Sequence, residues 1–170
     1  AEPAVPGLIR RQIAMQAGSS LELRVPPVAV ASVAALCMWL LSRWTPGLEW
    51  GQPWRLGIAV LLLTTGVVVA VAGVLEFRRA RTTVNPTTPQ AASSMVRAGI
   101  YRHTRNPMYL GMLLILAAWA AWLANLAAAA VLPAFLLYIN RFQIEPEERI
   151  LAGLFAADFD AYRRSVRRWL

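Results

Sequence analysis

The chain has 170 residues, about the length of one domain, and 58% of them are hydrophobic while only 15% are charged. In soluble domains about a quarter of all residues are charged. The lower charged fraction of this chain excludes a soluble globular enzyme, and its high hydrophobic fraction excludes a disordered chain. The net charge is +8, and all 17 basic residues are arginines. These arginines lie beside long apolar runs rather than on a separate basic face, so we expect a lipid bilayer, and no nucleic acid, as the partner.

Apolar stretches between the charged residues predict four membrane-spanning helices. They lie near residues 25–43, 55–77, 107–124 and 126–143. The last two belong to one uncharged stretch of 35 residues, which is too long for a single crossing of a bilayer about 30 Å thick. Because Asn125 lies near the middle of that stretch, we predict a helical hairpin with a very tight turn there. The predicted fold is therefore all-α and polytopic.

The arginines predict the orientation of these helices. With four spans, 15 arginines lie on the side of the two termini, and only Arg43 and Arg55 lie on the other side. The positive-inside rule then places both termini in the cytoplasm. The arginine-only, alanine-rich composition indicates a bacterial protein, so the predicted location is the bacterial inner membrane. We therefore divide the chain into three parts. Residues 1–24 form an N-terminal cytoplasmic segment, residues 25–77 form two transmembrane helices, and residues 78–170 form the core.

Two features inside the spans predict how the helices pack. Gly66, Ala70 and Gly73 fall at i, i+4 and i+7 of the second span and share one helix face, where another backbone is expected to approach closely. Pro133 removes one backbone hydrogen bond in the fourth span, so a kink is expected there, with or without a cavity beside it.

One polar segment lies just before the third span, in residues 97–111. Pro107 suits the first turn of a helix, with Asn106 as its N-cap, and the positive end of the helix dipole favours an anionic group. Arg105 adds a guanidinium that is able to bind a carboxylate through two parallel hydrogen bonds.

A second polar segment, residues 145–149, follows the fourth span directly, and the hairpin brings it to the same membrane face. Taken singly, each group has a structural explanation, since acids favour a first helical turn and Arg105 anchors a membrane edge. Together, Glu147, Glu148 and Arg105 indicate a site for a zwitterion that carries an ammonium and a carboxylate. His103 is the only histidine and Cys37 the only cysteine, so we expect no metal site.

The tail after Pro146 is predicted to form a C-terminal amphipathic helix. Apolar residues recur at helical spacing from Ile150 to Trp169, and arginines lie largely on the opposite face. Such a helix either lies on anionic lipid headgroups or folds back as a lid over the polar site, and the pattern leaves both possibilities open.

The motifs of residues 78–170 resemble the isoprenylcysteine carboxyl methyltransferase family and the related phospholipid methyltransferases. In chain order they are Gly99-Ile100-Tyr101-Arg102, Arg105-Asn106-Pro107-Met108-Tyr109-Leu110-Gly111, Glu147-Glu148-Arg149 and Phe159-x-x-Tyr162-x-x-x-Val166-x-Arg168. The resemblance implies an integral membrane enzyme that uses S-adenosylmethionine as its cofactor. It implies methyl transfer to a lipophilic small molecule or a lipid, with a carboxylate, thiol or amine as the acceptor.

The resemblance also implies roles for individual residues. Glu147 and Glu148 receive the amino group of the cofactor's methionine moiety, and Arg105 receives its carboxylate. The implied catalytic residues are Arg105, Asn106 and Tyr109. The implied cofactor-binding residues are Tyr101, Arg105, Pro107, Tyr109, Gly111, Glu147 and Glu148.

The chain departs from the family pattern at two positions. Asn106 stands where a histidine is more common, so any acid–base role of that histidine is absent. Ala156 stands where a glycine is usual. Two other functions stay open: a membrane reductase of the related sterol reductase type that uses NADPH, and a non-enzymatic membrane scaffold.

Overall fold

The computed structural model describes residues 22–49, 51–80 and 94–170, and these residues form helices and no strand. The helices are α1 Pro27–Trp44, α2 Gln52–Arg79, α3 Pro107–Leu123, α4 Leu126–Ala129, α5 Val131–Ile139 and α6 Glu145–Ser165. A 3₁₀ turn, Gly99–Arg102, precedes α3, and a π-helical turn, Asn140–Ile144, joins α5 to α6 without a break. The predicted all-α fold is confirmed.

The helices are those of an integral membrane protein. α1, α2 and the helical stretch that begins at Leu126 are each long and apolar enough to cross a membrane, and α3 is a shorter apolar helix of 17 residues. Large apolar side chains such as Leu61 and Val68 point outward, where a bilayer covers them. The membrane-spanning part of the last stretch ends at Ile144, because three acidic residues begin α6. The predicted polytopic fold with a C-terminal helix is confirmed: three helices have the length of a membrane span, and α3 is the fourth, shorter apolar helix.

The contact between α2 and α3 is made by glycines. A Cβ atom built on Gly111 would lie 2.6 Å from the carbonyl oxygen of Gly66 and 2.6 Å from the Cβ of Ala70, closer than real Cβ atoms come. Near the other end of the contact, a Cβ on Gly73 would lie 3.1 Å from the ring of Pro107. The predicted small-residue face of the second span is confirmed, and it fixes the position at which α3 begins.

The turn of the helical hairpin forms at Asn125, as predicted. Ala124 adopts a left-handed conformation with φ of 47°, and the Asn125 side chain accepts a hydrogen bond of 2.8 Å from the Ala128 N–H. The following helix is interrupted at Ala130, three residues before Pro133, because a proline inside a helix lacks the N–H and crowds the preceding turn. The hairpin brings the start of α6 back to the start of α3.

Ala156 interrupts α6 with φ of 33° and ψ of −110°, a positive-φ conformation that a Cβ atom disfavours and that glycine adopts more readily. We expect Ala156→Gly to raise the free energy of unfolding by about 1 kcal/mol, measured as a higher Tm in detergent. The neighbouring Ala157→Gly is the matched control, since Ala157 is helical and glycine there is expected to cost about 1 kcal/mol. A lower Tm for Ala156→Gly would contradict this interpretation of the kink.

Candidate functional site

A small cavity of about 100 Å³ lies between the start of α3 and the start of α6. Six of the predicted site residues line it: Tyr101, Arg105, Asn106, Tyr109, Glu147 and Glu148. The helical hairpin and the 3₁₀ turn thus bring together side chains that are far apart in the sequence. Pro107 and Gly111, the other two predicted residues, are not part of the lining. They pack against α2, and Gly111 serves the close helix crossing instead.

One wall of the cavity is an ion-pair network centred on Glu148. An Nη atom of Arg105 lies 2.7 Å from one carboxylate oxygen of Glu148, and an Nη atom of Arg168 lies 2.7 Å from the other. Burial acts against ionisation, but the hydrogen bonds from Arg168 and Arg105 hold the pKa of Glu148 below its usual range. Glu148 is therefore a carboxylate whose charge is already balanced within the protein.

Glu147 has a different environment from its neighbour. Its carboxyl group accepts a hydrogen bond from the Tyr109 hydroxyl and has no ion pair with a residue in the described ranges. Burial raises the pKa of Glu147 to about 8, and the nearby charge of Glu148 acts in the same direction. A cation that entered the cavity would find here a carboxyl group without a counter-charge.

The Arg105 guanidinium has several partners in the described part of the chain. Besides Glu148, it donates to the carbonyl oxygens of Val166 at 2.6 Å and Arg163 at 3.1 Å. Its Nε atom is buried and has no hydrogen-bond partner among the described residues. Because a buried donor without a partner is costly, a change of conformation that opened this atom to the cavity would favour contact with an acceptor such as a carboxylate.

The rest of the cavity wall is mainly apolar. Phe77 of α2 packs its ring edge-on against Tyr101, with 5.5 Å between the ring centres. The remaining lining residues outside the polar set are Ser94, Met95, Val96, Met108, Leu151 and Phe159. Such a wall keeps water away from the polar groups and strengthens their electrostatic interactions.

The end of the chain closes over this site. We call residues 166–170 the C-terminal strap, because Arg167 accepts a hydrogen bond of 3.0 Å from the Arg105 N–H and Arg168 accepts one of 3.0 Å from the Asn106 side chain. The Tyr162 hydroxyl donates to the Tyr101 carbonyl oxygen at 2.7 Å. Of the two possibilities left open by the sequence, the tail folds back over the polar site.

Asn106 connects the start of α3 to the strap. It occupies the N-cap position of α3, but its side chain does not cap the helix. The predicted N-cap position is confirmed, and the side-chain amide donates to the strap.

Several residues of the site were not predicted, and two of them lie near the end of the chain. Arg168 pairs with Glu148, and Phe159 lines the cavity. Both belong to the tail motif on which the family resemblance partly rests. The motif was therefore recognised in the sequence, but no role was assigned to these two residues. Among the residues that the structure describes, no three His, Cys, Asp or Glu side chains come together as a metal site.

Comparison with known proteins decides the family. Residues 54–158 match a family model described as phospholipid methyltransferase, and this is more than half of the chain. The chain belongs to the phospholipid methyltransferase family. The resemblance to these methyltransferases is confirmed, and the family match begins within α2, upstream of the predicted core boundary at residue 78.

All eight predicted site residues lie within the part that matches the phospholipid methyltransferase family. A protein of Haemophilus influenzae described as uncharacterized is 48% identical over 63 residues, which are 37% of this chain and 100% of that protein. No solved structure matches the chain. Helix α1 and the C-terminal strap lie outside the residues matched by the family model.

Proposed function

We propose that this member of the phospholipid methyltransferase family takes a methyl group from S-adenosylmethionine and transfers it to a lipid or a lipophilic small molecule within the membrane. One observation carries the cofactor assignment. Among the described residues, Arg105 of the cavity lining has a buried Nε donor without a hydrogen-bond partner, and Glu147 has a carboxyl group without an ion pair. These groups complement the carboxylate and the ammonium of an amino acid, which S-adenosylmethionine carries at one end.

The size of the cavity limits what it holds in this conformation. A cavity of about 100 Å³ is smaller than the roughly 300–1,000 Å³ typical of sites for cofactors and drug-sized ligands. It accommodates a part of the cofactor, and we assign to it the amino-acid end. Binding of the whole cofactor therefore requires the cavity to widen.

The residues of the chain have separate tasks in this proposal. Glu147 binds the ammonium, and the Tyr109 hydroxyl orients the Glu147 carboxyl group. Arg105 binds the carboxylate while Glu148 holds its guanidinium in place. When bound, S-adenosylmethionine supplies an electrophilic methyl group on a sulfonium. The apolar wall excludes water, which favours a displacement in which opposite charges combine.

In this scheme, no side chain of the protein acts as a base that deprotonates the methyl acceptor. Asn106 does not titrate, and its side chain is bonded to the strap. A carboxylate or thiolate acceptor needs no base, whereas an amine has to arrive deprotonated. We therefore assign Asn106 to holding the strap over the cavity.

The raised pKa of Glu147 predicts a pH dependence of cofactor binding. With a pKa of about 8, the carboxyl group is mostly protonated at pH 6, and it has to lose a proton before it pairs with an ammonium. The affinity for S-adenosylhomocysteine is therefore expected to increase about tenfold per pH unit between pH 6 and about 7.5. Above that range the amino group of the ligand itself begins to lose its proton. Calorimetric titrations at several pH values measure this slope, and a slope retained in Glu147→Gln would assign the proton to another group.

Calorimetric titration of the detergent-purified chain with S-adenosylhomocysteine, and separately with NADPH, tests the proposal. Micromolar binding of S-adenosylhomocysteine and no binding of NADPH is the expected result. Binding of NADPH alone would favour the reductase, and binding of neither to the folded protein would favour the non-enzymatic scaffold.

A further inference from the structure

A second pocket lies on the other side of Glu148, open to the surface and with a volume of about 420 Å³. Its lining consists of Arg141, Glu145, Glu148, Arg149, Ala152 and Arg163. Three arginines from the π-helical turn and from two different turns of α6 therefore face one space. This pocket has no part in the methyl transfer proposed above.

Glu22, which precedes α1, holds two of these arginines in place. Its carboxylate oxygens lie 2.7 Å from an Nη atom of Arg141 and 2.5 Å from an Nη atom of Arg149. The Glu22 side chain is only 2% exposed, whereas the two arginine side chains are 51% and 53% exposed. One buried carboxylate thus fixes two guanidiniums side by side, and each keeps further N–H donors for another partner.

Backbone contacts fix the same segment from a second direction. The Leu23 N–H donates to the Phe142 carbonyl oxygen at 3.0 Å, and the Gln143 side chain donates to the Val25 carbonyl oxygen at 2.7 Å. The chain before α1 is therefore attached to the π-helical turn. Because the arginine side chains are already ordered, a ligand that binds them loses less conformational entropy on binding.

The charges in and around the pocket favour an anion. Glu148 is already neutralised by Arg105 and Arg168, which lie outside the lining of this pocket. The third arginine, Arg163, is 57% exposed and has only a long contact of 3.8 Å to Asp160. Glu145, the other acid of the lining, lies 3.8 Å from Arg141. When Glu22, Asp160 and the two partners of Glu148 are included, these ion pairs contain five arginines and four acids, so one positive charge remains in excess.

The position of the pocket indicates where such an anion comes from. Arg141 lies in the last turn before the first acidic residues of α6, where the apolar stretch of the last span ends. This is the level of lipid headgroups in a bilayer. Arginine forks match the geometry of phosphate oxygens, and a basic cluster beside a span attracts anionic headgroups.

We propose that Arg141, Arg149 and Arg163 form a binding site for the phosphate group of an anionic membrane lipid, separate from the cofactor cavity. Glu22 is a positioning residue of this site, because it fixes two of the three guanidiniums. The site does not depend on the methyltransferase activity, so its failure and the failure of the proposed function are distinguishable.

Binding of phosphatidylglycerol to the full chain in mixed micelles, measured by native mass spectrometry, tests the site. Arg163→Gln is expected to weaken binding about fivefold, the effect of one arginine near a headgroup. Arg164→Gln is the matched control, with the same change of charge on the next, exposed residue outside the pocket lining, and it is expected to change binding less than about twofold. Thermal unfolding checks that both variants fold, and phosphatidylcholine is expected to bind more weakly than phosphatidylglycerol.

The outcomes separate the sources of the phosphate. Displacement of the lipid by inorganic phosphate would assign recognition to the phosphate group itself, and a lack of displacement would assign it to the phosphate as a lipid carries it. Equal weakening by both variants, or none by Arg163→Gln, would overturn the proposal, because only a general attraction of the basic surface would then remain.

Discussion

Replacing Glu147 with glutamine is expected to weaken binding of S-adenosylhomocysteine about 100-fold and to leave the Tm unchanged or higher. The bound ammonium would lose its counter-charge, whereas the folded protein would lose only a carboxyl group that is costly to ionise. Burial raises the pKa of this group to about 8, so the stability that it contributes in its protonated form is present below its ordinary pKa of 4.5 and is lost as the pH rises through 8.

Glu148→Gln is the matched comparison and is expected to lower the Tm while weakening binding less than Glu147→Gln does, because Glu148 acts on the ligand only through the position of Arg105. Glu148 is paired with Arg105 and Arg168, and its side chain is 13% exposed. Its loss leaves two guanidiniums without a counter-charge, which we expect to cost about 2 kcal/mol of stability, less than for a fully buried pair. Thermal unfolding and calorimetric titration of both variants measure the two effects. An unchanged Tm with lost binding in Glu148→Gln, and full binding in Glu147→Gln, would assign the ammonium to Glu148.

Gly111→Ala is expected to lower the free energy of unfolding more than any other exchange between glycine and alanine proposed for this chain. The added Cβ would lie 2.6 Å from the backbone oxygen of Gly66, so α2 and α3 would have to move apart. Overpacking of this kind lowers the free energy of unfolding by about 1–3 kcal/mol. We expect a loss near the upper end of this range, because the added methyl group meets the backbone of α2, which moves less easily than a side chain.

Gly57→Ala provides the control for Gly111→Ala. Gly57 lies in α2 with nothing within 4 Å of its Cβ position, so alanine there is expected to leave stability unchanged or raise it by up to about 1 kcal/mol. The Tm of both variants measures the difference. If Gly111→Ala kept the Tm but lost S-adenosylhomocysteine binding, Gly111 would have the cofactor role that the family resemblance implied, rather than the packing role.

The sequence predicted the spans and the meeting of the two polar segments, because charge spacing and the Asn125 turn determine both. It did not predict that Arg105 and Glu148 would bind each other. Each was assigned to the ligand, since the pattern gave no distance between side chains 43 positions apart. That distance depends on the glycine crossing of α2 and α3, and on the direction in which α6 leaves the last span.

The π-helical turn Asn140–Ile144 explains why the direction of α6 was not predictable. Because a π-helical turn contains one more residue than an α-helical turn, it changes the direction in which the side chains of the following helix point. The spacing of apolar residues in the sequence does not reveal such a turn. Such turns are frequent at functional sites. Here it directly precedes the acids of α6, and Gln143 and Ile144 within it are buried. The position of the strap was equally hidden, because Arg105 and Asn106 bind it through the carbonyl groups of Arg167 and Arg168, which any residue supplies.

The most direct test of the proposed function is transfer of the labelled methyl group from S-adenosyl[methyl-³H]methionine. Purified protein, reconstituted with a bacterial lipid extract, is expected to move tritium into the organic phase, and Glu147→Gln is expected to reduce this transfer to background. Transfer that is equal in both proteins would contradict the placement of the cofactor at Glu147. A wild-type protein that is folded but neither binds S-adenosylhomocysteine nor transfers label would contradict the methyltransferase assignment itself.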